Sequence, residues 1–386
     1  MTKNVKISYG LSAQGLSFAD KKILFVSDEN IWDNCAKFFP SDFLKKNHKN
    51  LILKNPKPDE KNLKKIAAAL KNCDFILALG SGTINDLCKF TSAQKNIPYA
   101  IIASAASMNG YLSKNASITI AGHKKTLPAT LPTAVFCDLR ILKAAPSRLT
   151  KAGIGDSLCF YSCWFDWYLS HKILGTKFDK KPFAMLQNKM DFFVKNFAKF
   201  SLKDEEFLKM LIEILLLSGQ GMTIAGGSYP ASQSEHLIAH TIEMKYPEIA
   251  HKKLHGEMIA VTTLTAAKLQ KNILTKNTPS SSILPIKEEG FGVDVINFFG
   301  KKIAAECQKE YDQKISQKLK PISAPLKKEL QKIHLDESNL KKILSHFKIS
   351  ASPKSLGLSN QQYQACVTHA KFMRNRFTVL DLTQNS

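Results

Sequence analysis

The sequence predicts an α/β N-terminal domain over residues 1–145, built on a mainly parallel sheet, followed by an all-α C-terminal domain over residues 146–386. Three observations carry this. Short apolar runs, KILFVSD, FILALG, YAIIAS and TAVFCD, end at small or acidic residues and have the continuous apolar character of buried parallel strands. Between the first two, DEKNLKKIAAALKNC places apolar residues at helical spacing, so strand and helix alternate. After Ala145 the strand signals nearly vanish. Pro146 and Ser147 open a helix, and DSLCFYSCWFDWYLSHKIL, EEFLKMLIEILLLSGQGM and MIAVTTLTAAKLQKN continue with helical periodicity. A chain of 386 residues also exceeds the size at which one core keeps growing, which favours two domains. Around residues 275–295, TPSSS and EEGFG mark a long connection.

Composition narrows the function classes. The apolar share of 44 % is that of a folded protein. No apolar run approaches the roughly 20 residues of a membrane-spanning helix, and the first ten residues lack a signal-peptide core, so a cytoplasmic protein without membrane insertion is expected. The eight cysteines form no CxxC pair and are expected as buried free thiols, with Cys159 and Cys163 on one helical face. A net charge of +23 suggests nucleic acid at first. Against it, Arg140, Arg148, Arg374 and Arg376 are the only arginines, whereas planar bidentate recognition of phosphates and bases favours arginine. The lysines are spread along the chain, so the expected partner is a small molecule.

Three stretches of the N-terminal part bear on chemistry. FILALGSGTINDLCKF is a strand, a glycine turn and a helix beginning near Thr83. Gly80 and Gly82 admit a pyrophosphate to the backbone, although the third glycine of GxGxxG is missing and such turns also serve only as turns. ASAASMNGYLS, residues 103–113, gathers small hydroxyl residues around Asn109-Gly110; it suits either a cofactor contact or a tight Asn-Gly turn. In APSRLTKAGIGDSL, Asp156 follows a Gly-Ile-Gly step read as the joint between two helices. There it either caps a helix starting at Ser157 or faces a cleft.

The histidines are concentrated. SEHLIAHTIEMKYPEIAHKKLHGE, residues 234–257, holds four of the chain's ten: His236, His240, His251 and His255. His236 and His240 are one helical turn apart, and His251 and His255 are expected as a second such pair. Neutral imidazoles so placed share a divalent metal, commonly with a carboxylate, and three protein ligands leave positions open for a substrate. Taken singly, each is equally a structural or solvated histidine.

Taken in order, LGSGTINDLCKF, SMNGYLS, CDLRILKAAPSRLTKAGIGD, PASQSEHLIAHTIEM and LHGE resemble the glycerol-1-phosphate dehydrogenases, in particular their bacterial AraM-type branch. These belong to the wider group of iron-containing alcohol dehydrogenases, glycerol dehydrogenases and dehydroquinate synthases. The resemblance spans roughly residues 20–260, with an echo at HAKFMRNRFTVLDL. It implies a Rossmann-like N-terminal domain in a dehydroquinate synthase-like fold. It also implies a divalent metal, zinc foremost with nickel or iron also admitted, held by Asp156, His236 and His255. His240 would face the substrate, with Asp156 and His240 as catalytic residues and His251 at the surface. NAD or NADP would lie along Gly80, Ser81, Gly82, Thr83 and Asp86, then against Ser104, Ser107 and Ser113. The substrate would meet Asn109, Asp156 and His240, and a homo-oligomer is implied.

The chain departs from that pattern where substrate choice is made. Asn109 stands where relatives usually carry aspartate, and Tyr229, in SYPAS, where they commonly carry arginine. The leading expectation, which the resemblance implies, is reduction of dihydroxyacetone phosphate to sn-glycerol-1-phosphate, and residues 109 and 229 motivate a change of substrate. The alternatives are a dehydrogenase of another polyol or modified sugar and, ranked lower, a dehydroquinate-synthase-like lyase.

Overall fold

A computed structural model of the chain describes residues 5–12, 16, 18, 21–45, 48–120, 123–275, 293–315 and 320–382. Most of the expected connection at 275–295 lies outside the described residues. The first stretch of chain holds β1 (Lys6–Ser8), β2 (Ile23–Asp28), α1 (Glu29–Cys35), α2 (Ser41–Lys45), β3 (Lys49–Leu53), α3 (Glu60–Ala69) and β4 (Phe75–Gly80). It continues with α4 (Gly82–Lys95), β5 (Tyr99–Ala103), β6 (Asn115–Ile120), β7 (His123–Pro128), β8 (Ala134–Phe136) and α5 (Leu139–Ala144). Helices follow: α6 (Ser147–Leu174), α7 (Lys181–Asn196), α8 (Glu205–Ala225), α9 (Ser234–Lys245), α10 (Pro247–Ala250) and α11 (His255–Thr275). Beyond these lie α12 (Val293–Phe299), α13 (Lys301–Ile315), α14 (Ala324–Gln331), α15 (Glu337–His346) and α16 (Asn360–His369).

The chain divides into two compact units, Met1–Gly153 with Lys199–Gly226, and Ile154–Ala198 with Gly227–Ser386. In the first, six parallel strands run in the order β1-β8-β5-β4-β2-β3. The central strands β4 and β5 are buried at every position, as their unbroken apolar sequences require when helices cover both faces. Side chains such as Phe25, Leu77, Ile102 and Phe136 join one core. The strand order reverses between β2 and β4, the place where sheets of this kind bind ligands at their carboxyl ends. Asp28, Asp59 and Asp138 each accept a backbone N–H at the start of the helix that follows.

The sequence misses β1, β3 and the antiparallel pair β6–β7. β1 is three residues long, and both β1 and β3 are sheet edges with exposed positions, so neither has an unbroken apolar run. Helix α8 belongs to the first unit although it lies beyond residue 145. Its Gly219 faces the 109–112 turn so closely that an added Cβ would sit 2.3 Å from the Asn109 carbonyl oxygen, and Thr223 donates to the Leu112 carbonyl at 2.8 Å. Among the described residues this is also the one helix long and apolar enough by composition to cross a membrane, but 56 % of that window is buried in the protein.

Among its described residues the second unit contains helices and no strands. Helices α9, α11 and α16 share a core that includes Cys163, Leu237, Ile259 and Cys366. The cysteines are free thiols, all but Cys73 buried, as expected.

The structure corrects two expectations. Helix α6 is continuous from Ser147 to Leu174, so Asp156 neither lies between helices nor caps one. The Gly-Ile-Gly step is a site of close packing inside the helix: a Cβ on Gly155 would lie 2.1 Å from the carbonyl oxygen of Gly256. The second correction concerns His251 and His255. They share no helical face, because α10 ends at Ala250 and α11 begins at His255.

Candidate active site

In the first unit, β4 ends at Gly80, and a Cβ there would lie 2.4 Å from that of Ile84, so only glycine lets the chain turn directly into α4. Ser81 takes the N-cap position of α4 without a side-chain capping bond, and the first-turn N–H groups and helix dipole there favour an anion. At Gly82 an added Cβ meets nothing nearer than Met108 Cγ at 3.8 Å, so the turn is not crowded by protein. Thr83 is partly exposed. Asp86 accepts the Ser117 N–H at 2.9 Å, tying α4 to β6.

Lys89, fully buried, donates to the carbonyls of Gly110 and Asn115 and to Ser113 Oγ, at 2.5, 3.1 and 3.4 Å. Burial lowers its pKa while Asp86, 3.8 Å away, opposes the shift. The lysine thus pins the loop that follows β5. Sequence inspection passed it over among so many surface lysines. Ser104 and Ser107 are buried in that loop, and Ser104 donates its N–H to the Gly80 carbonyl. The Ser113 hydroxyl is engaged by Gly110, Asn115 and Lys89. Asn109 donates to Ser218 Oγ of α8 at 3.3 Å.

In the second unit, Asp156, His236 and His255 come from α6, α9 and α11 and offer ligand atoms within 4.8 Å of one another. The two Nε2 atoms are 3.2 Å apart, and each lies 3.9 Å from Asp156 Oδ1. Ligands about 2.1 Å from a tetrahedral ion stand ~3.4 Å apart, so two imidazoles and a carboxylate in this triangle suit a divalent metal. The bare backbones of Gly155 and Gly256, each next to a ligand, bring α6 and α11 close enough to form it.

Two glutamates that the sequence did not single out orient the histidines. Glu235 is fully buried and accepts from His236 Nδ1 at 2.8 Å, which leaves Nε2 for the metal. It also accepts from Ser162 Oγ, Cys163 Sγ and the Gln233 N–H, at 2.8, 3.0 and 2.8 Å. Burial would raise its pKa, but the His236 imidazole and these donors bring it down to about 2. Glu243 accepts from His240 Nδ1 at 3.0 Å and stands 3.9 Å from His255 Nδ1. Burial pushes the His240 pKa down to about 3 against the pull of Glu243, so its imidazole is neutral at pH 7. Cys159, Cys163, Glu235 and His236 also cluster, yet burial holds the Cys163 thiol well above its usual range, and a protonated thiol is a poor ligand. His251 is exposed.

Residues 11–146 match the family model of the iron-containing alcohol dehydrogenases. Over 226 residues, 57 % of this chain and 62 % of the relative, the sequence is 35 % identical to the glycerol-1-phosphate dehydrogenase (NAD(P)+) of Thermococcus sibiricus. Over 229 residues, 58 % of either chain, it is 34 % identical to the protein of that name from Bacillus subtilis. The chain thus spans about three fifths of the length of these curated relatives. Its fold is similar to that of a probable glycerol dehydrogenase from Sinorhizobium meliloti, with TM-score 0.65, 16 % identity, and 98 % of this chain and 94 % of that one covered. The glycerol dehydrogenase of Schizosaccharomyces pombe gives 0.58 at 18 % identity, covering 90 % and 93 %. The N-terminal third of the chain thus resembles the iron-containing alcohol dehydrogenases. The curated relatives that the chain resembles in sequence are named glycerol-1-phosphate dehydrogenases.

Proposed function

We propose that this protein is a metal-dependent NAD(P)H oxidoreductase that interconverts dihydroxyacetone phosphate and sn-glycerol-1-phosphate. The convergence of Asp156, His236 and His255 from three helices, with His240 one turn beyond His236, carries the proposal. The names of the relatives support the substrate. When bound, a divalent ion on those three residues supplies Lewis acidity to the ketone oxygen, and NAD(P)H supplies the hydride. Gly80, Ser81, Gly82 and Thr83 would receive the pyrophosphate at the start of α4, with Asp86, Ser104, Ser107 and Ser113 shaping the loops around the dinucleotide.

The chain's own groups do the rest. Glu235 holds the His236 ring by its Nδ1–H and thereby fixes the tautomer. Glu243 does the same for His240, leaving its neutral Nε2 to accept a hydrogen bond from the substrate hydroxyl and hold it in place, with the proton passing on through water. Asp156, buried on α6, contributes the negative charge that the two neutral imidazoles lack. Zinc, nickel and ferrous iron all suit such ligands, zinc foremost. A cytoplasmic homo-oligomer completes the proposal, and light scattering of the purified protein checks the assembly.

The test is absorbance of NADH and of NADPH in the presence of dihydroxyacetone phosphate, dihydroxyacetone or glyceraldehyde-3-phosphate. Oxidation with dihydroxyacetone phosphate, giving sn-glycerol-1-phosphate and lost in His255→Ala, is expected. Tyr229 and Asn109 favour a second possibility, a dehydrogenase of an unphosphorylated polyol. Turnover of a polyol with none of dihydroxyacetone phosphate would establish it in place of the first.

A further inference from the structure

His236, a ligand in the proposed metal site, sits in the first turn of α9 together with its partner Glu235. Its Nε2 lies 3.2 Å from that of His255 and 3.9 Å from Asp156 Oδ1. A displacement of α9 by even about 1 Å would open that triangle, so the entry of the chain into this helix is part of the site. Ordinary capping does not fix the entry. Gln233 at the N-cap makes no side-chain capping bond, and its amide instead reaches back to the Tyr229 carbonyl at 2.8 Å.

What fixes it comes from distant parts of the same unit. Asp166 of α6, fully buried, accepts the Ser234 N–H at 3.2 Å and the Val379 N–H at 3.4 Å. Three residues before Val379, Arg376 donates to the Ser232 carbonyl and, at 2.8 Å, to Ser228 Oγ, and so spans the Tyr229–Ala231 turn that leads into α9. Its guanidinium also lies over the Tyr229 ring, 4.5 Å from the centroid. That ring stacks in turn on Trp167, the neighbour of Asp166 on α6, with centroids 5.5 Å apart and planes at 20°. One side chain thus combines two directed donors with a flat face, which a lysine cannot do.

We propose that Arg376 is a positioning residue of the metal site: by holding the turn at residues 228–232 it sets where α9 begins, and hence where His236 Nε2 stands. The proposal rests on the reading of Asp156, His236 and His255 as metal ligands and not on the identity of the substrate.

The experiment compares wild type, Arg376→Lys, Arg376→Met and Phe193→Leu. It measures zinc affinity by competition with a chromogenic chelator, and the visible absorption spectrum of the cobalt(II)-loaded full chain. The lysine variant keeps the charge and loses the fork. Phe193, buried in α7, is the control for a loss of stability that leaves the turn alone. Both Arg376 variants are expected to bind zinc about 10-fold more weakly and to shift the cobalt bands, which report the geometry of the ligands. Phe193→Leu should melt at a lower temperature than wild type yet keep the wild-type zinc affinity and cobalt spectrum. Wild-type affinity and spectrum in both Arg376 variants, or an equal loss in Phe193→Leu, overturns the positioning role. Should Arg376→Met fail to fold, Arg376→Lys decides alone. If wild type binds no zinc, or if His236→Ala binds it as tightly, the metal site itself falls and the proposal with it.

Discussion

Glu235 and His236 are sequence neighbours with separate tasks, and the glutamate's task is visible only in three dimensions. With Glu235→Gln the acceptor for His236 Nδ1–H weakens while packing is preserved. Competition of zinc with a chromogenic chelator should then show affinity reduced about 10-fold to 100-fold; unchanged affinity would leave Glu235 a packing residue. His240 makes a second prediction at this scale. Its folded pKa, about 3, lies below the ordinary value of 6.5, so between those values the unfolded chain binds more protons. Its contribution to stability is complete above about pH 6.5 and is lost on acidification towards pH 3. Melting temperatures of the metal-free protein from pH 7.5 to pH 4.5 should fall less steeply in His240→Gln than in wild type. Parallel curves would contradict this. The grouping of Asp156, His236 and His255 was expected from the family resemblance alone, since the spacing of the histidines pairs His236 with His240 and His251 with His255 instead. Glu235, Glu243 and Lys89 were not expected, because carboxylates and lysines occur throughout the chain and their burial depends on helices distant in sequence.

Elements tell the complementary lesson, since the glycines were noticed but assigned the wrong work. Gly153 and Gly155 read as a break because glycine is a poor helix former, yet tertiary contact overrides that preference and α6 runs through both. Gly155→Ala would gain about 1 kcal/mol of helix propensity, but its Cβ would lie 2.1 Å from the Gly256 carbonyl oxygen. Overpacking costs typically 1–3 kcal/mol, so a net loss is expected. Denaturant unfolding should show a lower midpoint, together with weaker zinc binding as α6 and α11 separate. At Gly82 the sign reverses, because the turn has room for a Cβ. Gly82→Ala should unfold at the wild-type midpoint yet bind NADH more weakly by fluorescence titration; equal NADH affinity would argue against the α4 turn as the pyrophosphate site. The buried strands β2, β4, β5 and β8 were legible as apolar runs, whereas the edges and the β6–β7 pair carry polar residues that mimic loops.

For the whole molecule, the change from alternating elements to helices near residue 145 was readable, and the return of the chain to the first unit was not. EEFLKMLIEILLLSGQGM has the periodicity of any core helix, and nothing in it specifies that Gly219 faces the Asn109 turn. The net charge of +23 is carried almost wholly by lysines spread along a chain that has only four arginines. The central claim, that Asp156, His236 and His255 hold the ion on which catalysis depends, is tested most directly by adding zinc stepwise to metal-free protein and measuring NAD(P)H oxidation with dihydroxyacetone phosphate. Activity should rise from zero to a plateau at one equivalent and remain absent in His236→Ala. Full turnover without metal, or an identical titration in the variant, would contradict it.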